Sequence, residues 1–217
     1  MSKQWFSMQA RAGVGEIAIY DEIGAGGIAA KDFHEKLKAL GAVNTIRLSI
    51  NSPGGNVFDG LAIHNMLARH KARVIVTIDG VAASMASVIA MAGDEIVMPA
   101  NAMMMLHNPT GMALGDADTM DEMSDALRRM AQSLIGIYAA RTKQPPEKIQ
   151  SMMDATTWLN AEEAVALGFA DRVEQPVKIA ATFDLARRYG AMPAAPSPAG
   201  LDAAAIYRRW NAAGGHS

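Results

Sequence analysis

The chain has 217 residues, a formal net charge of −2, 50% apolar residues and 19% charged residues. That length supports one sizeable core, and the composition excludes a disordered chain and any general electrostatic pull toward nucleic acid or a membrane surface. The absence of cysteine excludes disulfides, thiolate metal sites and a cysteine nucleophile.

Glu16 to Tyr20 reads as a short strand ahead of a glycine-rich turn at Gly24 to Gly27. Residues 29–40 read as a helix whose apolar face is Phe33, Leu37 and Leu40, stopped at Gly41. Thr45 to Ile50 alternates as a strand, broken by Asn51-Ser-Pro-Gly-Gly55, and a helix follows over 57–69. Arg73 to Ile78 is a β-branched strand expected to end at Asp79-Gly80, with a helix starting near Ser84. Glu95 to Met98 and Met103 to His107 read as two more strands. From about Asp116 to Arg141 the apolar residues Met120, Met123, Leu127, Met130, Leu134 and Ile137 recur at helical spacing. Pro145-Pro146 opens a further short helix, and Asn160-Ala-Glu-Glu163 has capping-box spacing for one ending at Gly168.

Strands alternate with helices through residues 1–175, which predicts one α/β domain with mainly parallel pairing. Residues 176–217 differ: five Lys or Arg stand against two Asp or Glu, and Ala191 to Gly200 is rich in Ala and Pro. This stretch is expected to be a flexible tail with a short terminal helix over 201–212, carrying Leu201, Ile206 and Trp210. Neither an apolar leader segment nor a bilayer-length apolar run occurs, so a cytoplasmic protein without a membrane partner is expected.

Three segments carry chemistry. In Asp79-Gly-Val-Ala-Ala-Ser84-Met-Ala-Ser87, small flanking residues let a serine occupy a tight strand-to-helix turn with its hydroxyl exposed. An ordinary serine N-cap is the alternative. In Met103-Met-Met-Leu-His107-Asn-Pro109, an imidazole ends an apolar strand, where a neutral ring can accept a proton. A hydrogen-bonded structural histidine is the alternative. His34, His64 and His70 fall on predicted helices, and His216 falls in the tail. In Asn51-Ser-Pro-Gly-Gly55, two glycines allow close approach of a ligand to the backbone, or simply a tight turn.

Taken in order, these segments resemble the Clp protease proteolytic subunit, ClpP, over roughly residues 15–175, including Leu159 to Ala164 and Gly168 to Asp171. The resemblance implies a ClpP/crotonase-like spiral of β/α units with a long handle helix at 116–141. It implies a serine endopeptidase with Ser84 as nucleophile, His107 as general base, and the backbone amides of Gly55 and Met85 as oxyanion donors. It also implies that Thr110 to Gly115 pairs with an extended substrate, that the methionine stripe is a packing surface, and that neither cofactor nor metal is used. Self-association into rings is expected, with stacked heptamers as one form, acting on a protein or peptide substrate.

The pattern departs at the third triad position. Thr156 stands where the family places an aspartate, and Asp154 is the nearest carboxylate. Asp154, Thr156, a backbone carbonyl or water remains open as the group that orients His107, and a weak or inactive site also stays open. The amino terminus lacks the segment used for axial loops, so docking of an unfolding ATPase is not expected. The Thr157-Trp-Leu-Asn-Ala-Glu-Glu-Ala164 segment and the Ala/Pro-rich tail ending in Ile206-Tyr-Arg-Arg-Trp210 look more like the ClpP-like head-maturation proteases of tailed phages and prophages. That closer resemblance implies capsid or scaffold substrates, in the host cytoplasm or the assembling capsid. Two rivals remain: a non-catalytic ring-forming assembly protein and a crotonase-type acyl-CoA enzyme.

Overall fold

Alternating β-branched residues from Arg73 onward bury Val74, Val76 and Ile78 on one face, and this strand becomes the centre of the sheet. The computed structural model describes residues 6–176 and Tyr189. The flexible linker expected at 191–200 and the terminal helix expected at 201–212 fall outside the described residues.

In chain order the elements are β1 (Phe6–Arg11), β2 (Val14–Ile19), α1 (Ala30–Ala39), β3 (Thr45–Ser52), α2 (Val57–Ala68), β4 (Arg73–Ala83) and α3 (Met85–Ala90). Then follow β5 (Glu95–Pro99), β6 (Met103–Leu106), α4 (Ala117–Thr142), α5 (Pro146–Asp154), β7 (Thr157–Asn160), α6 (Ala161–Leu167) and β8 (Arg172–Glu174). Among the described residues these strands form one sheet of eight, ordered β1-β2-β3-β4-β5-β8, with β6 paired to the far end of β4 and β7 paired to β6. Pairing from β2 through β5 and β8, and between β4 and β6, is parallel, while β1–β2 and β6–β7 are antiparallel. The fold is therefore mixed α/β, as the alternation of elements predicts.

β1 was not among the expected strands. It is the outer arm of a hairpin closed by Ala12 and Gly13, both at positive φ, the geometry of a two-residue turn. Only Phe6 of its six residues is buried, so the strand has almost no hydrophobic alternation to read.

β4 does not end at Asp79-Gly80 but continues to Ala83. Its first part pairs with β5 and its last three residues pair with β6. The β3–β4 register shifts between Ile50 and Ser52, and there the Asn51 side-chain oxygen accepts from Val81 N at 3.1 Å. A side chain thus replaces the interrupted ladder. The extension carries Ser84 to a second pair of strands.

The long helix α4 has 26 residues and is capped by Asp116, whose carboxylate accepts from Thr119 N. Only Leu134, Ile135, Tyr138 and Thr142 are buried along it. Met123, Leu127 and Met130 are half-buried, Met120 is exposed, and Gly111 of the preceding segment lies over Met123 and Leu127. Residues 110–115, compared above with a substrate-pairing strand, adopt no strand pairing among the described residues. The Asn160 capping box is formed, with Asn160 N to Glu163 at 2.9 Å and Glu163 N to Asn160 at 2.8 Å, and Gly168 closes α6. Among the described residues no helix is long and apolar enough to cross a membrane.

Candidate active site

Ser84 stands between the end of β4 and the start of α3, with φ 54° and ψ −126°. A side chain is disfavoured at that backbone geometry, so the surroundings must hold it there. Ser84 N donates to Met105 O at 2.9 Å, tying the turn to β6. Ser87 N donates to Ser84 O at 3.0 Å. The Ser87 hydroxyl lies 2.7 Å from Ser84 O, 3.0 Å from Met105 O and 2.8 Å from the Tyr138 hydroxyl. With one proton to give, Ser87 serves a carbonyl and Tyr138 donates to Ser87. Burial pushes the Tyr138 phenol well above its ordinary range, so that proton stays in place. Small residues on either side let the turn form, and every residue of α3 is buried.

His107 follows directly after β6 and places Nε2 at 2.8 Å from Ser84 Oγ. β6 is short and parallel to the last residues of β4, with Val81, Ala82 and Ala83 beside Met103, Met104 and Met105. The strand pairing therefore sets the reach of the imidazole.

The Asn51-to-Gly55 turn packs against the serine turn. A Cβ on Gly54 would come within 2.5 Å of Ala83 O and 2.8 Å of Ser84 Cβ, and one on Gly55 within 2.0 Å of Ile23 O. Both glycines also have positive φ. Only glycine fits at either position. The turn is clamped from behind: Ile23 N donates to Gly54 O at 2.9 Å and Asn56 N to Ile23 O at 2.8 Å. Ser52 Oγ donates to Asp21 O at 2.7 Å and accepts from Gly54 N at 3.1 Å. Met85 N is the first amide of α3, where a helix has no internal acceptor to offer.

Asp154 lies at the end of α5. Its Oδ1 accepts from Asn108 Nδ2 at 2.7 Å and from Gln150 Nε2 at 2.7 Å. The carboxylate therefore fixes the amide of the residue next to His107, with Nδ2 necessarily turned toward it. Thr156 has φ 52° in the tight connection from α5 to β7, and its N–H bonds Met153 O at 3.2 Å.

Several participants were not singled out in the sequence. Ser87, Tyr138, Asn108, Ser52 and Ile23 all support the turn or its neighbours through contacts distant in the chain, and no local pattern marks them. Tyr189 is another: its ring meets the His107 ring edge-on, with centroids 5.1 Å apart, and its hydroxyl donates to Pro53 O. The other described histidines lie elsewhere: His34 is in α1 and His64 in α2, the latter with its pKa lowered chiefly by burial, while His70, expected on a helix, falls just past the end of α2, where its Nδ1 accepts from Ala72 N at 3.1 Å. Among the described residues no group of three His, Cys, Asp or Glu side chains suits a metal ion.

A hydroxyl at hydrogen-bond distance from an imidazole, at a strained strand-to-helix turn and beside a glycine-rich backbone, provides the parts for acyl transfer. Residues 5–177 match the family model described as Clp protease. The chain belongs to the Clp protease family and is by that membership a peptidase.

Proposed function

We propose that the chain is a serine endopeptidase in which Ser84 is the nucleophile and His107 the general base. The 2.8 Å separation of Ser84 Oγ and His107 Nε2 carries this reading. With the proton on Nδ1, Nε2 accepts from the Ser84 hydroxyl. Ser84 Oγ attacks the peptide carbonyl as His107 takes its proton, and the oxyanion is received by the amides of Gly55 and Met85. His107 then returns the proton to the leaving amine, leaving an acyl-enzyme on Ser84. Water, deprotonated by the same imidazole, releases the acid. Asp154 enters through Asn108, the residue next to His107, whose side-chain amide it holds.

The proposed substrates are capsid or scaffold chains of a tailed phage or prophage, on the resemblance carried by Thr157 to Ala164 and the Ala/Pro-rich tail. Neutral replacement of the third triad member lowers turnover by about 10⁴ in a well-studied enzyme. A slow peptidase confined with concentrated substrate tolerates such a loss. Thr156 at the family's aspartate position also favours a second reading, a catalytically silent assembly protein.

A fluorophosphonate probe separates the two. Labelling is expected in the natural chain and in Ser133→Ala, on the exposed side of α4, and is expected to vanish in Ser84→Ala and fall steeply in His107→Ala. A folded protein that takes no label at saturating probe supports the silent assembly protein instead.

A further inference from the structure

Tyr189 lies beyond the segment that matches the family model, yet its ring sits against His107. Its seat is built by strand alternation. Ala82, Met104 and Leu159 point into the main core. Their neighbours Ala83, Met105 and Trp158 are aligned across β4, β6 and β7 and point the other way. With Val81 they form a separate apolar cluster, and Tyr189 packs on it. From that seat the tyrosine ring meets the edge of the His107 imidazole, with 67° between the ring planes, and its hydroxyl donates to Pro53 O. One side chain thus joins both flanks of Ser84: the turn that carries Gly55, and the imidazole.

We propose that Tyr189 is an internal competitor of the substrate. This rests on the peptidase reading above. A peptide must bring its carbonyl carbon to Ser84 Oγ and its carbonyl oxygen toward the amides of Gly55 and Met85, between the same two flanks that Tyr189 bridges. The occupant is this chain's own residue, bound within one molecule, so it acts at an effective concentration that dilution does not lower. A dilute peptide competes poorly against it. A substrate packed at comparable local concentration competes well, which directs activity to crowded partners. An aromatic seat and a hydrogen bond are enough for a modest penalty and not a permanent block.

The test uses the full chain and Tyr189→Ala, with Tyr189→Phe as a second variant that keeps the ring and loses the bond to Pro53. Two readouts are taken: steady-state hydrolysis of a short fluorogenic peptide, and the rate at which diethyl pyrocarbonate modifies His107, followed by mass spectrometry. In Tyr189→Ala the KM is expected to fall about threefold to tenfold with kcat unchanged, and His107 to be modified faster. Tyr189→Phe should show a smaller change in the same direction. An unchanged or slower modification of His107 in Tyr189→Ala overturns the proposal. So does a fall in kcat at constant KM, which would make Tyr189 a support for the imidazole. If neither the natural chain nor the variant hydrolyses peptide, the peptidase reading fails on its own terms. The His107 modification rates then still decide whether Tyr189 covers the ring.

Discussion

Ser84 concentrates backbone strain in one residue. Its φ of 54° with ψ of −126° is a glycine conformation, imposed by Met105 O on one side and Ser87 on the other. Such geometry costs of order 1–3 kcal/mol, and replacing serine by glycine recovers part of it, less the larger backbone entropy of an unfolded glycine. Ser84→Gly is therefore expected to be more stable than Ser84→Ala by about 1 kcal/mol, because alanine keeps the strain. Both variants lack the Ser84 hydroxyl and its contact with His107, so thermal or urea denaturation reads the backbone term alone. Equal stability of the two would show that the turn stores no strain. The candidate nucleophile and its partner imidazole were readable as residues, since small neighbours and a strand end leave local marks. Asn108 and Ser87 were not, because what they do depends on Asp154, Tyr138 and Met105, which are far away in the chain.

At the scale of elements, the handle helix and the serine turn are joined through Tyr138. It is 1% exposed, stands in the second half of α4, and reaches Ser87 across the core. Periodicity predicts the helix over 116–141 and its apolar stripe, but Tyr138, which carries a buried hydroxyl to the serine turn, is not one of the stripe residues. Burial pushes the phenol up, and Tyr20 is pushed up as well, by burial first and then by the neighbouring Asp79 carboxylate. A folded pKa above the unfolded value of about 10 leaves this stabilisation intact below pH 10 and removes it as pH rises further. Urea denaturation at about pH 9 and pH 11 should show the natural chain losing more stability than Tyr138→Phe over that interval. If the two lose the same amount, Tyr138 does not hold its proton more tightly in the folded chain. The limits of β4 follow the same logic. Asp79-Gly80 looks like a stop, and only the Asn51 side chain on Val81 N shows why the strand passes through it.

For the whole molecule, the apolar surface left by one chain is informative. Phe58 is 66% exposed, Met112 92% and Leu114 98%, and large exposed apolar side chains are what a contact between copies would cover. Ring formation, proposed here on family membership, would bury them between copies. The natural chain is then expected to elute at a multiple of 23.0 kDa, and Met112→Asp with Leu114→Asp to shift it toward smaller species in size exclusion with light scattering. Elution of the natural chain as a 23.0 kDa species at micromolar concentration would remove the ring from this account.

The α/β class, most element positions, the capping box at Asn160 and the pairing of Ser84 with His107 as candidates follow from local chemistry. Periodicity, turn residues and caps act within a few neighbours, so they can be read along the chain. The path of β4 beyond Gly80, the clamp of Ile23 on the Gly54-Gly55 turn, the hold of Asp154 on Asn108 and the placing of Tyr189 against His107 could only be decided in three dimensions. Each depends on groups brought together by strand pairing and core packing, and such contacts are specified by the sum of the fold and not by the residues on either side.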